Sequence, residues 1–291
     1  MIETPLVTVG LFRCRPWEPW FEDSGPIGNH IIVFPRTGVL ITHAGREPVV
    51  ANPNVVMFYN RGQVYRRGKL SERGDLCEWF AFDHQVIADV LRPHDRGVED
   101  RVDRPFQLTH GPSDPSSYLL QRMVVEHLLG HRYPDYLYIE EAMLTVLGRV
   151  VESVYRARTG IARNSRSNGN SDHRELTQAV QTLLATRFQE PLRLTQIAAE
   201  MHCSPYHLCH IFRQQAGFTI HRYLNQIRLR TALEYVTQGE TDLTGLALTL
   251  GYSSHSHFTE SFRRAFGTPP SDLRCLPVSR YLREMSKNLI A

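Results

Sequence analysis

The pattern of hydrophobic and polar positions changes twice along this chain of 291 residues. In the first hundred residues, short apolar runs rich in β-branched residues alternate with Gly, Pro and Asn, at intervals of roughly ten residues. The segments HIIVFPRTGVLITHAG and CEWFAF are examples. Many short strands separated by turn residues predict a β-sandwich or a small barrel.

From Asp114 onward the apolar residues recur at helical spacing. Leu120, Val124 and Leu128 predict one helix, and a second is predicted to run to about Arg158. The two helices form an antiparallel pair. Their apolar surface exceeds what packing on a sheet requires, so residues 118–158 are expected to form a homodimer seam. The alternative is that both helices only pack on the sheet.

The composition then changes to Ser, Asn, Gly and Arg in GIARNSRSNGNSDH, which has almost nothing to bury. This segment, residues 160–173, is predicted to be a flexible linker between domains. The division that follows is an N-terminal domain at 1–159, a linker at 160–173, a C-terminal domain at 174–276 and a tail at 277–291.

The C-terminal domain contains a repeat. In AAEMHCSPYHLCHIFRQQAGF a short helix, a tight turn and a second helix follow one another, with Ser204 as the helix cap and Pro205 at its first position. The segment GYSSHSHFTESFRRAFGTPP repeats this with one residue more in the turn. Aligning Ser204 with Ser253 and Gly217 with Gly267 brings the turn serines and the terminating glycines together. This agreement predicts two helix-turn-helix units.

One continuous helix over residues 221–238 is predicted between the two units. A helix of this length spans roughly 26 Å. It can hold the two recognition helices about one helical turn of DNA apart, roughly 34 Å, so that both enter successive grooves on one face. Ser, His, Thr and Arg at the start of each second helix can donate to or accept from base edges in a major groove. Helix N-termini and arginines also suit phosphates.

Composition and charge add modest information. The chain has 42% apolar and 22% charged residues and a formal net charge of +3, which is typical of a globular protein. The segment from residue 172 carries 13 Lys and Arg against 10 Asp and Glu, a weak preference for a polyanionic partner. Five scattered cysteines indicate reduced thiols. Without a long apolar run or a signal-peptide pattern, a cytoplasmic location is expected.

Residues 174–274 resemble the AraC/XylS family of bacterial transcription regulators. GYSSHSHFTESFRRAFGTPPSDLR matches that family's signature region, with its G-[FY]-x-S core, its F-[RK]-x-x-[FY]-G run and its closing proline. The N-terminal half is similar in architecture to the family's cupin-like ligand-sensing and dimerisation domain. The resemblance implies an α+β protein with an N-terminal cupin-like β-sandwich or barrel and two helices, followed by an all-α double helix-turn-helix DNA-binding domain.

The resemblance also implies which side chains contact DNA. They are the residues exposed early in each recognition helix, together with nearby arginines: Tyr206, His207, Cys209, His210 and Arg213 in the first unit, and His255, Ser256, Thr259, Glu260, Arg263 and Arg264 in the second. Cys209, His210 and Glu260 depart from the longer polar or basic residues common in the family. The alternative for each residue is a solvated helix face, and for Arg213 and Arg263 a phosphate or structural role.

The function implied by the resemblance is that of an effector-responsive activator which binds promoter DNA as a homodimer and contacts RNA polymerase. Two alternatives are a repressor and a ligand-independent regulator whose N-terminal domain only dimerises. The sequence identifies no effector. Aromatic residues of the N-terminal half could line a ligand site, but aromatic residues in a small β domain are more often core: Trp17, Trp20, Phe34, Tyr59 and Tyr65.

The rival class is a cupin metalloenzyme, which would need clustered His and Glu ligands. His30, His43 and His84 are dispersed, and the HxH at 255–257 lies in the other domain. No nucleophile-elbow, zinc-protease, P-loop or dinucleotide-binding motif occurs. The sequence therefore predicts no catalytic residue, no metal and no cofactor.

Overall fold

The computed structural model describes residues 1–130, 136–164 and 171–275. Its strands, in chain order, are β1 (Ile2–Glu3), β2 (Val7–Cys14), β3 (Asp23–Ser24), β4 (Ile31–Pro35), β5 (Val39–His43), β6 (Val49–Ala51), β7 (Val55–Tyr59), β8 (Tyr65–Gly68), β9 (Asp75–Phe82) and β10 (His110–Pro112). Its helices are α1 (His84–Leu91), α2 (Pro115–Gly130), α3 (Tyr136–Asn164), α4 (Ser171–Arg187), α5 (Leu194–Glu200), α6 (Pro205–Ala216), α7 (Ile220–Thr237), α8 (Leu243–Thr249), α9 (His255–Phe266) and α10 (Pro270–Cys275).

The strands form two antiparallel sheets, in the orders β1-β2-β9-β4-β7-β10 and β3-β8-β5-β6. Their facing sides enclose a core that includes Val33, Ile41, Met57 and Cys77. Along β9 the side chains alternate between the two faces of the sheet. Cys77 points into this inner core, while Phe80 packs with the helices on the other side. The predicted α+β class, with a strand-rich half followed by helices, is confirmed.

Helix α2 lies in the middle of the molecule. It packs against α3 on one side and against α7 and α9 of the C-terminal domain on another. Tyr118, Leu119, Leu120, Met123 and Val124 are all at most 2% exposed. The prediction that α2 supplies apolar surface for a homodimer was therefore wrong, because the same chain already covers that surface.

Helical residues extend into both ends of the segment that was predicted to be a flexible linker, residues 160–173. Helix α3 continues to Asn164, and helix α4 begins at Ser171. Ser and Asn have lower helix propensity than Ala. The difference is small for each residue, so it does not prevent a long helix from continuing through them. The rest of the predicted linker and the tail at 277–291 lie outside the described residues.

The two halves of the chain share one continuous apolar core. Residues of α2, such as Leu120, belong to the same buried cluster as Leu233 of α7 and Phe262 of α9. A second core, built from α4 to α7, holds the first helix-turn-helix unit together. The C-terminal domain is thus packed on the N-terminal domain. The sequence, by contrast, predicted only that a flexible linker carries it.

Candidate nucleic-acid interface

The first unit consists of α5, a tight turn and α6. The Oγ of Ser204 accepts a hydrogen bond from the backbone N–H of His207 at 3.2 Å, and Pro205 occupies the first turn of α6. Gly217 ends the helix in the left-handed conformation, with φ of 75°, and its N–H donates to the carbonyl of Arg213. Both predicted ends of this helix are confirmed, because the cap and the glycine satisfy backbone groups that the helix leaves unpaired.

The second unit repeats this geometry with α8 and α9. Here the N-terminal cap is Ser254, whose Oγ accepts from the N–H of His257 at 3.2 Å. Gly267, with φ of 79°, ends α9 as Gly217 ends α6. The predicted alignment of Ser204 with Ser253 is therefore off by one, and Ser253 is the extra residue of the turn.

The inward faces of the two recognition helices match. Leu208 and Phe212 of α6 are buried at the positions that Phe258 and Phe262 occupy in α9. These side chains lie four and eight residues after the capping serine, on one helix face. Packing of this face turns the opposite face of each helix toward solvent.

The predicted contact residues lie on those outward faces. Tyr206, His207, Cys209, His210 and Arg213 of α6 are all exposed, as are His255, Ser256, Glu260, Arg263 and Arg264 of α9, while Thr259 is half-buried. Tyr206 is the most exposed of the large apolar side chains of α6, at 81%, and its ring stacks on His210 with centroids 6.3 Å apart. The residues form two polar surfaces, one on each helix.

Glu260 has partners within its own helix. Its carboxylate accepts from Arg263 at 2.8 Å and from Arg264 at 3.1 Å. The hydrogen bond from Arg263 lowers the pKa of Glu260, so it is ionised at neutral pH. This glutamate therefore neutralises part of the positive charge that the two arginines bring to the surface.

Helix α7 joins the two units, and its 18 residues span about 27 Å. Arg228 of α7 donates to the carbonyls of Phe188 and Glu190, both at 2.7 Å, and to that of Gly251 at 2.9 Å. It thus connects the end of α4 with the turn of the second unit and fixes their relative position. Sequence reasoning missed Arg228, because an arginine in an amphipathic helix resembles any exposed basic residue.

A second candidate site is the cavity between the two sheets, with a volume of about 440 Å³. Aliphatic and aromatic side chains line most of it, including Ile41, Met57 and Trp79. Its polar lining includes Ser24, Asn29 and the ion pair of Arg67 and Asp75, whose Nε and Oδ2 are 2.7 Å apart.

The structure separates the five aromatic residues considered for a ligand site. Tyr59 and Tyr65 line the cavity, and burial raises the pKa of Tyr65 to about 12, so its hydroxyl stays protonated. Trp17 and Trp20 are exposed at 68% and 59%, and Phe34 packs in the other core against Phe80. Of these five aromatic residues, therefore, only Tyr59 and Tyr65 can contact a molecule in the cavity.

Clusters of potential metal ligands and long apolar helices are both absent from the described residues. Within residues 1–130, 136–164 and 171–275, no three His, Cys, Asp or Glu side chains come together in a way that could hold a metal ion. Over the same ranges, no helix combines the length and apolar character needed to cross a membrane.

Two helix-turn-helix units on one connecting helix, each with an exposed polar recognition helix, define the double helix-turn-helix class of DNA-binding domains. Residues 197–275 match the family described as "Helix-turn-helix domain". This match agrees with the AraC-type helix-turn-helix domain that the signature region predicted.

Named relatives are similar to this chain over part of its length. The chain is 31% identical over 114 residues to the HTH-type transcriptional activator RhaS of Pectobacterium atrosepticum, covering 39% of this chain and 41% of RhaS. It is 33% identical over 104 residues to the HTH-type transcriptional regulator ArgR of Pseudomonas aeruginosa, covering 36% and 31%. The chain thus spans less than half the length of either relative.

Solved structures include ToxT from Vibrio cholerae, at 12% identity and a TM-score of 0.36, with 93% of this chain and 98% of ToxT covered. The C-terminal domain of AraT, a response regulator from Geobacillus stearothermophilus, is 25% identical with a TM-score of 0.32, covering 37% of this chain and 87% of AraT.

Proposed function

We propose that this protein is a sequence-specific DNA-binding regulator of transcription that responds to an effector and activates promoters. The observation that carries the proposal is the pair of capped recognition helices at the two ends of α7, both with polar residues exposed. Side chains near the start of α6 and α9 would read base edges in successive major grooves. The arginines later in each helix, such as Arg213 and Arg263, would contact phosphates.

The experiment that tests DNA binding is retention of genomic DNA fragments by the full-length protein, followed by sequencing, at two salt concentrations. A recurrent motif that persists at the higher salt supports base reading. If the retained DNA shows no motif and the retention disappears as salt rises, the protein is held only by attraction to phosphates. In that case the residues assigned to base contacts would be wrong.

The effector would bind in the cavity between the sheets. A volume of about 440 Å³ lies within the range of small-molecule sites, roughly 300–1,000 Å³. Aromatic and aliphatic walls with one buried ion pair favour a mostly apolar ring-bearing molecule that has one hydrogen-bonding group. A thermal shift of the full-length protein with candidate compounds tests this, because a ligand that binds only the folded state raises its unfolding temperature.

Activation would require contact with RNA polymerase, and the same DNA contacts could instead block a promoter. Transcription in vitro from a promoter that contains the recovered motif separates the two. More transcript with the protein supports the activator, and less supports the repressor. A response that no compound changes would favour the ligand-independent regulator.

Glu260→Gln is expected to strengthen binding to DNA of any sequence by about three- to tenfold at low salt, with a steeper salt dependence. The substitution removes the carboxylate that pairs with Arg263 and Arg264, so both guanidiniums become available to phosphates. Fluorescence anisotropy with a non-specific duplex measures the effect. The matched control is Glu152→Gln, which removes an exposed glutamate paired with an arginine in the N-terminal domain. Unchanged affinity would mean that α9 does not approach the backbone.

A homodimer would form through the outward face of α3, since α2 is covered. Leu137 is 77% exposed, and Leu144 and Gly148 follow it at spacings of seven and four residues on the same helix face. A side chain at Gly148 would meet nothing within 4 Å, which leaves room for a second helix to approach closely.

Leu144→Glu is expected to weaken the dimer at least about tenfold, because each copy would bury a carboxylate in the seam. Light scattering across a concentration series measures the change in mass. Thr145→Glu is the control, since the same charge then points about 100° away around the helix. If Leu144→Glu and Thr145→Glu weakened the dimer equally, the face of α3 assigned to the dimer contact would be wrong.

A further inference from the structure

The ion pair of Arg67 and Asp75 crosses the space between the two sheets. Arg67 lies on β8 of the four-stranded sheet, paired with Ile41 of β5, and Asp75 begins β9 of the six-stranded sheet. Both charged side chains line the cavity, and both are almost completely buried. The pair therefore forms part of the wall that any molecule in the cavity would meet.

This pair supplies the formal charges of the cavity lining. Among the described residues that line the cavity, Arg67 and Asp75 are the only Asp, Glu, His, Lys or Arg. Burial raises the pKa of Asp75, and the guanidinium of Arg67 opposes that rise. Because arginine stays protonated in proteins, the carboxylate 2.7 Å from its Nε remains ionised as its counter-charge. The two charges cancel, so the lining has no net charge.

The other titratable groups around the cavity are uncharged at neutral pH. Burial raises the pKa of Tyr65 to about 12 and the pKa values of Tyr59 and Cys77 well above their usual range, so all three keep their protons. The ring of His43 stacks on Tyr59 at a centroid distance of 4.9 Å. Burial lowers the pKa of His43 to about 4, so this imidazole is neutral. None of these four groups offers a charge to a bound molecule.

Arg67 retains one N–H group for a bound molecule. A guanidinium has five N–H groups. Four of them have acceptors: Asp75 Oδ2, the backbone carbonyl of Phe21, the hydroxyl of Ser24 and the hydroxyl of Tyr65. The fifth, on the terminal nitrogen that donates to Tyr65, has no acceptor among the described residues. An oxygen of a ligand could accept this hydrogen bond.

The rest of the lining is mostly apolar. Ile41 comes from one sheet, Met57 comes from the other, and Trp79 adds an aromatic face. An ion that moves from water into such surroundings loses far more hydration than an uncharged molecule of the same shape, unless an opposite charge is available there. An incoming anion would have to compete with Asp75, and an incoming cation would find that carboxylate already paired with Arg67.

We propose that Asp75 sets the charge selectivity of the cavity: by neutralising Arg67, it restricts the ligand to uncharged, ring-bearing molecules whose carbonyl or hydroxyl oxygen accepts from the remaining N–H of Arg67. The inference specifies the ligand class for the effector site of the proposed function and rests on it. Arg67 contacts the ligand in this assignment, and Asp75 is a positioning residue that acts through Arg67. An unpaired Arg67 would favour carboxylates instead.

The first experiment uses the wild-type full-length protein and probes that share a skeleton and differ in charge. The probes are the carboxamide, carboxylate and methylammonium derivatives of naphthalene, indole and biphenyl, and isothermal titration calorimetry at pH 7 measures each dissociation constant. At least one carboxamide is expected to bind, at least about tenfold more tightly than its carboxylate and ammonium counterparts. A carboxylate or ammonium that binds as tightly as its carboxamide overturns the proposal, and so does a panel in which no carboxamide binds.

Filling the cavity tests where the probe binds. Ile41→Phe adds volume inside the cavity, and Leu40→Phe is the matched control because successive side chains of a strand point to opposite faces. Ile41→Phe should weaken binding of the tightest carboxamide by at least about tenfold, whereas Leu40→Phe should change it by less than about twofold. Equal effects of the two variants would place the probe outside the cavity and overturn the assignment.

Asp75→Asn tests the selectivity itself. The variant keeps the shape of the side chain and leaves the charge of Arg67 unpaired, so the carboxylate should gain at least about tenfold in affinity. Asp75→Glu retains the negative charge and should retain the preference for the carboxamide. The matched control is Glu78→Gln, which removes a buried carboxylate that pairs with Arg122 outside the cavity. A carboxylate gain in Glu78→Gln, or none in Asp75→Asn, contradicts the role of Asp75.

The double variant Arg67→Met/Asp75→Leu serves if Asp75→Asn does not fold. It has neither charge nor guanidinium N–H in the lining, so it should bind the carboxamide at least about fivefold more weakly and gain no affinity for the carboxylate. Unchanged carboxamide affinity would overturn the role of Arg67. If a bound carboxamide changes neither DNA retention nor transcription, the proposed response to an effector fails, while the calorimetry still decides the ligand class of the cavity.

Discussion

Phe262→Ala is expected to cost about 3–5 kcal/mol of the free energy of unfolding of the C-terminal domain. Phe262 is fully buried and packs between Phe258, with ring centroids 5.7 Å apart, and Phe266, at 4.7 Å. Alanine would leave a cavity in the core that orients α9, and the neighbouring rings can fill it only in part. Urea unfolding followed by circular dichroism measures the loss.

Tyr206→Ala is the control for Phe262→Ala. It also removes an aromatic ring, but from an exposed position of the first recognition helix. Its free energy of unfolding should stay within about 0.5 kcal/mol of wild type, whereas its affinity for the recovered motif should fall. If Phe262→Ala unfolded at the wild-type urea concentration, the inward face assigned to α9 would be wrong.

Asp75→Ala is expected to destabilise the N-terminal domain by about 3–5 kcal/mol, because it leaves a buried cation without its counter-charge. The side chains of Arg67 and Asp75 are only 2% and 7% exposed. The guanidinium also lies 4.5 Å from the ring centroid of Phe12, so an aromatic ring and not a second carboxylate is its neighbour on that side. Thermal and urea unfolding of the full chain measure the effect.

The double variant Arg67→Met/Asp75→Leu distinguishes the contribution of the ion pair to stability from that of side-chain packing. Replacing a buried ion pair by apolar residues of similar size is often neutral or stabilising. The double variant should therefore recover most of the stability that Asp75→Ala loses. A double variant as unstable as the single one would show that the other contacts of Arg67, with Tyr65 and Ser24, hold the cavity wall instead.

The recognition helices illustrate what could be read from local sequence. A capping serine, a proline at the first position and a terminating glycine identify α6 within about twelve residues, and the geometry agrees. The same reasoning placed the second cap one residue early. Two adjacent serines, Ser253 and Ser254, offer the same hydroxyl, and only the packing of Phe258 determines which of them caps the helix.

Residues that act between distant segments gave no such signal. Arg228 fixes the two units through three backbone carbonyls. Glu260 is a different case, because it pairs with two arginines of its own helix. The spacing of Glu260 and its arginines was visible in the sequence, since residues three and four apart meet on a helix. The carbonyl partners of Arg228 were not, because they depend on how three elements pack.

The sequence by itself determined that a strand-rich half precedes the helices, and it determined the repeat, its outward-facing residues and the AraC type of the helix-turn-helix domain. Each of these depends on periodicity, capping or motif spacing, which act over a few residues. The tertiary structure alone decided that α2 is covered and that the C-terminal domain is packed on the N-terminal one. The contact between Arg36 and Glu234 joins positions 198 residues apart. Such a contact depends on the folded arrangement of the whole chain, and no local pattern encodes it.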